Sequence, residues 1–129
     1  MAKGRDRHQA RQNELNLLGK PLAKRAKSKC ELCSISGSLH IYEVPPVNEP
    51  LLEKCILICD TCLTQIQNPK TLDVHHWLCL YESMWSEVDG VKVVVWRVLS
   101  ALRDQTHWAQ DLLDQMYLDE ELLQWAESE

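Results

Sequence analysis

Residues 30–62 read CELCSISGSLHIYEVPPVNEPLLEKCILICDTC, which contains two Cys-x-x-Cys pairs with 25 residues between them. The first pair is Cys30 and Cys33, and the second pair is Cys59 and Cys62. One such turn directs two thiolates at a single point, and two turns complete the tetrahedron that zinc prefers. Four cysteine ligands leave no position for water or substrate, so the sequence predicts a closed structural zinc site. Two disulfides, or four unrelated buried thiols, are the alternative interpretations.

Composition and the N-terminal sequence bear on the disulfide alternative. The 129 residues are 45% hydrophobic and 26% charged, which is typical of one globular domain. No apolar run approaches the roughly 20 residues of a membrane span, and the charged residues 1–7 lead into no apolar signal core. We therefore expect a cytoplasmic protein without membrane contact, and in that compartment thiols stay reduced.

The hydrophobic pattern predicts an α+β fold that is mostly α. Residues 39–44 and 55–58 have the composition of short strands, and a helix is expected to follow the second cysteine pair near Leu63. With the cysteines, this order predicts a small zinc finger of the treble-clef type; a zinc ribbon of two hairpins is the alternative. Spacing and capping residues predict further helices at 5–18, 21–27, 73–84 and 91–102, one capped by Thr106 and a last one capped by Asp119.

Charge divides the chain unevenly. Residues 1–29 hold nine Lys/Arg and two acidic residues, a net charge of +7, whereas residues 30–129 have a net charge of −12. We therefore divide the chain into a basic helical arm (1–28), a zinc-binding module (29–68) and a helical region packed on it (69–129). We expect the three parts to fold as one cooperative unit.

The basic arm predicts a partner of opposite charge. The candidates for contact with nucleic acid or with an acidic protein surface are Arg5, Arg7, Arg11, Lys20, Lys24, Arg25 and Lys27. The arm has no Phe, Tyr or Trp on which a base could stack, so a nucleic-acid contact would be directed at the phosphate backbone. The alternative is an interaction adaptor or a homo-oligomer in which the arm clamps the chain's own acidic helices.

The remaining polar residues favour a binding module over an enzyme. His76 precedes Ser83 by seven residues, about 10 Å along a helix, so one helix does not bring them together as base and nucleophile. His75 and Cys79 have the i,i+4 spacing that metal ligands can use, but a second metal site would need further partners such as Cys55.

Residues 30–63 place a hydrophobic strand, which ends at Val44-Pro45, between the two cysteine pairs. This arrangement resembles the treble-clef zinc module of HNH endonucleases, in which the strand ends in two histidines that hold catalytic Mg²⁺ and activate water. Tyr42 and Glu43 occupy those positions here. The resemblance therefore implies the scaffold without the nuclease activity.

A longer resemblance rests on strings spread over the chain, which are SKCELC (28–33), IYEVPP (41–46), ICDTC (58–62), ESMWSEV (82–88) and WAQDLLD (108–114). They are similar to the N-terminal zinc-binding region of the PhnA-like family of alkylphosphonate-utilisation operon proteins. The resemblance implies that the four cysteines are the zinc ligands. Family members commonly continue into a small β-barrel, and we expect residues 1–129 to form none. A role in phosphonate metabolism, as accessory protein or hydrolase, would rest on the family name alone.

Overall fold

Within the residues that the structure describes, a two-stranded antiparallel hairpin lies at the centre of the fold and helices cover both of its faces. The computed structural model describes residues 13, 16–47 and 49–128. Its elements are α1 Gly19–Ala26, β1 Leu39–Glu43, β2 Cys55–Cys59, α2 Asp60–Gln67, α3 Leu80–Ser83, α4 Asp89–Leu102, α5 His107–Gln115 and α6 Glu120–Glu127, with 3₁₀ turns at Leu52–Lys54, Pro69–Thr71 and His76–Cys79.

Strand β2 is buried on both faces, which explains its unbroken apolar sequence. Ile56 and Ile58 belong to the main core, whereas Cys55 and Leu57 belong to a smaller cluster with Leu22 of α1. Successive side chains of a strand point to opposite faces, so a strand covered on both sides needs an apolar residue at every position.

Helix α1 lies on one face of the hairpin and is amphipathic. Leu22 is fully buried and Ala26 packs with it against the hairpin, while Lys20, Lys24 and Lys27 are exposed. The helix predicted at 21–27 is thus present, but it begins at Gly19 and ends at Ala26, with Lys27 as its left-handed C-cap. Most of the helix predicted at 5–18 lies outside the residues that the structure describes.

Helix α4 is the longest described helix and crosses the other face of the hairpin. The helix predicted at 91–102 is confirmed, although its valine run resembles a strand in composition, because Val91, Val95 and Leu99 are all buried on a helical period. Gly90 permits the close approach of this helix to β2, since a Cβ atom at Gly90 would lie 3.0 Å from the Cγ2 atom of Ile56.

The helical region begins differently from the prediction. A single helix at 73–84 was expected, but the chain forms a 3₁₀ turn at His76–Cys79 and then the short helix α3. We attribute the break to contacts with α2, because Trp77 Nε1 donates to Gln65 Oε1 at 2.7 Å and His76 lies against Cys62. These tertiary contacts override the helical spacing.

The last two helices begin where their capping residues predict. Asp119 is the N-cap of α6, and its Oδ1 atom accepts a hydrogen bond of 2.9 Å from Leu122 N. Thr106 occupies the N-cap position of α5 without a side-chain hydrogen bond. Both helices pack on α4.

The predicted α+β, mostly α, class is confirmed. One cluster of buried side chains includes Cys30, Cys59 and Cys62 together with residues of α3, α4, α5 and α6. The cysteine turns and the helical region therefore share a core; that they unfold together stays a prediction.

Candidate metal centre

The first cysteine pair lies in a tight turn between α1 and β1. Cys30 N donates to Ile35 O at 2.9 Å, and Ser34 N donates back to Cys30 O at 2.9 Å. Ser34 takes up a left-handed conformation with φ of 69°, which reverses the chain after Cys33. The amide of Cys33 points at Cys30 Sγ at 3.4 Å, as expected for a turn that aims two sulfurs at one point.

The second pair lies where β2 passes into α2. Cys59 is the last residue of β2 and the N-cap of α2, and Cys62 lies in the first turn of that helix. The order is therefore turn, hairpin and helix, with the second pair supplied by a helix start. This is the treble-clef arrangement, and it differs from a ribbon, in which a second hairpin would supply those ligands.

The four sulfur atoms all lie within 4.8 Å of one another. Cys30 Sγ is 3.7 Å from Cys62 Sγ, and Cys33 Sγ is 3.6 Å from Cys59 Sγ. A tetrahedron with its corners about 2.3 Å from the centre, the usual Zn–S distance, has an edge of about 3.8 Å. The four cysteines could thus hold one metal ion.

Neither alternative interpretation of the cysteines agrees with this geometry. A disulfide needs its sulfurs at about 2.0 Å, and all six cysteines of the chain are free thiols. Four unrelated thiols would not converge, yet these come from two segments distant in sequence and meet at one point.

Without a cation, the four sulfurs cannot all carry charge. The hydrogen bond between the sulfurs of Cys30 and Cys62, helped by backbone amides, lowers the pKa of Cys30 to about 4. Burial raises the pKa of Cys33 to about 11, and the hydrogen bond with Cys30, with burial, raises the pKa of Cys62. A divalent cation at the centre would allow all four sulfurs to be thiolates, because its charge offsets several negative charges at once and displaces the thiol protons.

A second group of polar contacts surrounds the centre on the side of α2. His76 Nε2 lies 3.2 Å from Cys62 Sγ. The buried Gln65 accepts two hydrogen bonds at its Oε1 atom, from Trp77 Nε1 at 2.7 Å and from Asp73 N at 2.8 Å. Sequence reasoning missed the contact of His76, because fourteen residues separate it from Cys62 and no periodic pattern joins them.

A bidentate ion pair joins α1 to the first cysteine turn. Arg25 Nε and Nη2 donate to the two carboxylate oxygens of Glu31 at 2.8 and 2.9 Å, and Nη2 also donates to Cys55 O at 2.9 Å. Glu31 further accepts from Leu57 N at 2.8 Å, and Glu31 N donates to Leu57 O at 2.8 Å. The side chains are 23% and 6% exposed, so the pair fixes α1 and the turn to β2.

The residues predicted to contact a partner fall into three groups. Lys20 and Lys24 of α1 and Lys27, its C-cap, are exposed. Arg25 directs its guanidinium at its own chain. The other three, Arg5, Arg7 and Arg11, lie outside the residues that the structure describes.

The other candidate sites of the sequence are not assembled. Among the described residues, the four cysteines form the one group of three or more potential ligands close enough to share an ion, so His75 and Cys79 gain no further partner. Burial raises the pKa of Cys79 to about 12. Ser83 Oγ donates to Cys79 O at 3.4 Å, within its own helical turn.

Comparison with known proteins adds no family to these observations. No family model matches the chain, and neither the curated proteins nor the solved structures gave a match. Among the described residues, no helix has both the length and the apolar character required to cross a membrane. Function is therefore inferred from the four-cysteine site and from the charges around it.

Proposed function

We propose that this protein is a small zinc-binding module in which the ion is structural and holds a basic helix in place for contact with the phosphate backbone of nucleic acid. The observation that carries the proposal is the convergence of four cysteine sulfurs at separations that suit one tetrahedral ion. The exposed lysines of α1, which the adjoining turn fixes through Arg25 and Glu31, support the second part.

The donor set favours zinc. Thiolates are soft ligands that suit Zn²⁺ or iron and suit Mg²⁺ and Ca²⁺ poorly. Four thiolates saturate a tetrahedral ion, so zinc here would supply no chemistry and would instead tie the two cysteine turns together. Elemental analysis of the purified protein should give one zinc per chain. One iron per chain, or no ion, would contradict this part of the proposal.

The lysines of α1 form a continuous positive stripe. Lys20 and Lys24 are spaced i, i+4 and so lie on one side of the helix, about 6 Å apart along its axis, and the exposed Lys27 follows as its C-cap. The opposite side of α1 is buried against the hairpin through Leu22 and Ala26, so the side of the helix that carries the lysines faces solvent. Lys29, just after the helix, is also exposed and adds to the same charge.

Contact through lysines alone would be independent of base sequence and sensitive to salt. Each lysine–phosphate contact contributes about 0.9 to the slope of log affinity against log salt concentration. A fluorescent DNA duplex and a structured RNA are suitable probes. We expect both to bind at low salt and to dissociate as salt is raised.

A matched pair of variants separates the stripe from general charge. Lys20, Lys24 and Lys27 are changed together to Gln in one variant, and Lys70, Lys92 and Arg103 are changed together to Gln in the control. The first variant should reduce the salt slope by roughly 2 to 3, whereas the control, with the same net charge, should retain most of it. Equal losses in the two variants, or no association of the unmodified protein at low salt, would contradict the proposal.

A protein-interaction role is the second candidate, and exposed aromatic side chains favour it. Trp85 is 63% exposed and Tyr117 is 87% exposed, and both line a shallow cleft with Met116 and Lys92. Aromatic and methionine side chains are common at protein interfaces. In this role the protein is an adaptor or a homo-oligomer, and its molecular mass in solution distinguishes the homo-oligomer from a monomer.

We further propose that the chain belongs to the PhnA-like family and acts in the cytoplasm. The strings around the two cysteine pairs support the family, and the free state of all six cysteines suits a reducing compartment. A part in phosphonate metabolism would require a reaction. Release of phosphate from a phosphonate by the purified protein would support that part, and no release is expected from a saturated metal site.

A further inference from the structure

One side chain outside the four cysteines contacts the metal centre directly. His76 Nε2 lies 3.2 Å from Cys62 Sγ, which is within hydrogen-bonding distance for a sulfur atom. Cys62 is fully buried and His76 is half-buried, so little water competes for this contact.

The ring of His76 is held in this position by its neighbours. It packs edge-on against the ring of Trp77, with centroids 4.9 Å apart and an angle of 82° between the planes. Trp77 is itself fully buried and donates its Nε1 hydrogen to Gln65, a residue of the same helix that carries Cys62. Both partners of the contact are therefore fixed to α2.

The direction of the hydrogen bond follows from the chemistry of a bound ion. A cysteine that ligates a metal is a thiolate and has no hydrogen to give. Nε2 must then carry the hydrogen and donate it to the sulfur. The contact thus selects the form of the imidazole that is protonated at Nε2.

The negative charge of the site explains how a hydrogen bond from His76 would stabilise the bound ion. Four thiolates around Zn²⁺ leave two excess negative charges in a largely buried place. A hydrogen bond from a neighbouring donor withdraws part of that charge from one sulfur and holds the ligand in the geometry that the ion needs.

We propose that His76 is a positioning residue for the metal centre, whose Nε2 hydrogen bonds to the Cys62 thiolate and thereby strengthens metal binding and anchors residues 69–79 to the site. This inference rests on the proposed structural metal. Outer partners of metal ligands typically change metal affinity by about 10–100-fold when they are removed. We expect a loss in that range without His76.

The first test uses the unmodified chain. The protein is labelled with ¹⁵N and its ion is replaced by ¹¹³Cd, a soft ion that also binds four thiolates. A cross-peak from ¹¹³Cd to the imidazole N–H of His76, transmitted through the hydrogen bond to sulfur, is the expected result. A stoichiometric cadmium complex without that cross-peak overturns the inference, whereas failure to bind cadmium or zinc at all overturns the proposed function instead.

The second test uses variants and competition with a coloured chelator for zinc. His76→Phe keeps a ring for packing but has no N–H, and we expect it to weaken zinc binding about 10–100-fold. His75→Gln changes the exposed neighbouring residue and should bind as the unmodified protein does. His76→Gln restores an N–H donor and should recover part of the loss. Unchanged zinc affinity in a folded His76→Phe variant overturns the inference.

Discussion

The four cysteines are chemically similar but differ in their surroundings. Cys30, Cys59 and Cys62 are buried in the main core, whereas Cys33 is half-buried and borders a cavity that also contains Cys79. Loss of a buried ligand would leave the remaining charged thiolates in an apolar environment. The resulting loss of stability should be larger than that caused by losing a ligand near the surface. Individual cysteines should therefore respond unequally to substitution and to reagents.

Replacing Cys62 with serine is expected to abolish stoichiometric zinc binding and to unfold the region 29–68. The reason is that apparent zinc binding energies of about 10–16 kcal/mol are as large as the entire stability of a typical domain, about 5–15 kcal/mol. Zinc content and a circular-dichroism melt measure the two effects. Cys79→Ser is the control, since Cys79 is not a proposed ligand, and it should keep one ion per chain. A Cys62→Ser protein that melts like the unmodified one would contradict this prediction.

The Cys79 thiol should be slow to alkylate in the metal-loaded protein. Burial is the largest cause that raises the pKa of Cys79, and it persists when an ion is bound, so the thiol should stay protonated well above neutral pH. Alkylation, followed by peptide mass spectrometry, should accelerate about tenfold for each pH unit. Glutathione is the control, because its rate levels off near an ordinary thiol pKa. Modification of Cys79 as fast as glutathione at neutral pH would refute this expectation.

Helix α1 owes its position to a small number of specific contacts. Its apolar side covers one face of the hairpin, and the Arg25–Glu31 pair fixes its C-terminal end to the first cysteine turn. The geometry is bidentate, so a lysine at position 25 would not reproduce it. The Arg25–Glu31 pair thus links helix α1 to the first cysteine turn.

Arg25→Met is expected to lower the free energy of unfolding by about 2–4 kcal/mol. The substitution leaves the Glu31 carboxylate, which is 6% exposed, without its cation, and Cys55 O without one donor. Urea denaturation measures the effect. Lys24→Met, one position away and exposed, should change stability by less than about 0.5 kcal/mol. Similar unfolding midpoints for the two variants would count against the role assigned to the ion pair.

The elements were predictable to different degrees, for physical reasons. The Cys-x-x-Cys turns, β1, β2 and the valine-rich helix α4 follow from local spacing and hydrophobic period, which a single sequence contains. The break at His76–Cys79 was missed because Gln65 and Cys62, from another element, decide the conformation there. The Arg25–Glu31 pair likewise joins residues whose facing positions depend on the packed hairpin.

At the scale of the whole molecule, the larger of the two buried clusters of the described residues includes the metal centre. Because the buried cysteines belong to the same cluster as the helices α3 to α6, loss of the ion should be felt beyond the cysteine turns. It should also weaken the attachment of α1, because the turn that carries Glu31 would be held only by its bonds to β2 and to Arg25. Metal binding and partner binding are therefore expected to be thermodynamically linked.

Removal of zinc by a chelator should weaken the association with a DNA duplex, and added zinc should restore it. By reciprocity, saturating duplex should raise the zinc affinity by the same factor, so that more chelator is needed at equilibrium to remove the ion. Fluorescence anisotropy and zinc release measure the two sides of this linkage. Chelator already saturated with zinc is the control. Equal duplex affinity with and without the ion would show that the lysines act independently of the metal.

Glu31 and Arg25 form hydrogen bonds with the backbone of Leu57 and Cys55 in strand β2. They occupy the peptide groups of β2 that face away from β1, which would otherwise form an open sheet edge. The strand reads Cys-Ile-Leu-Ile-Cys, uncharged and rich in β-branched residues, the composition that favours stacking of one chain on another. The cysteine turn therefore covers an edge of the sheet to which a strand of a second chain could otherwise add.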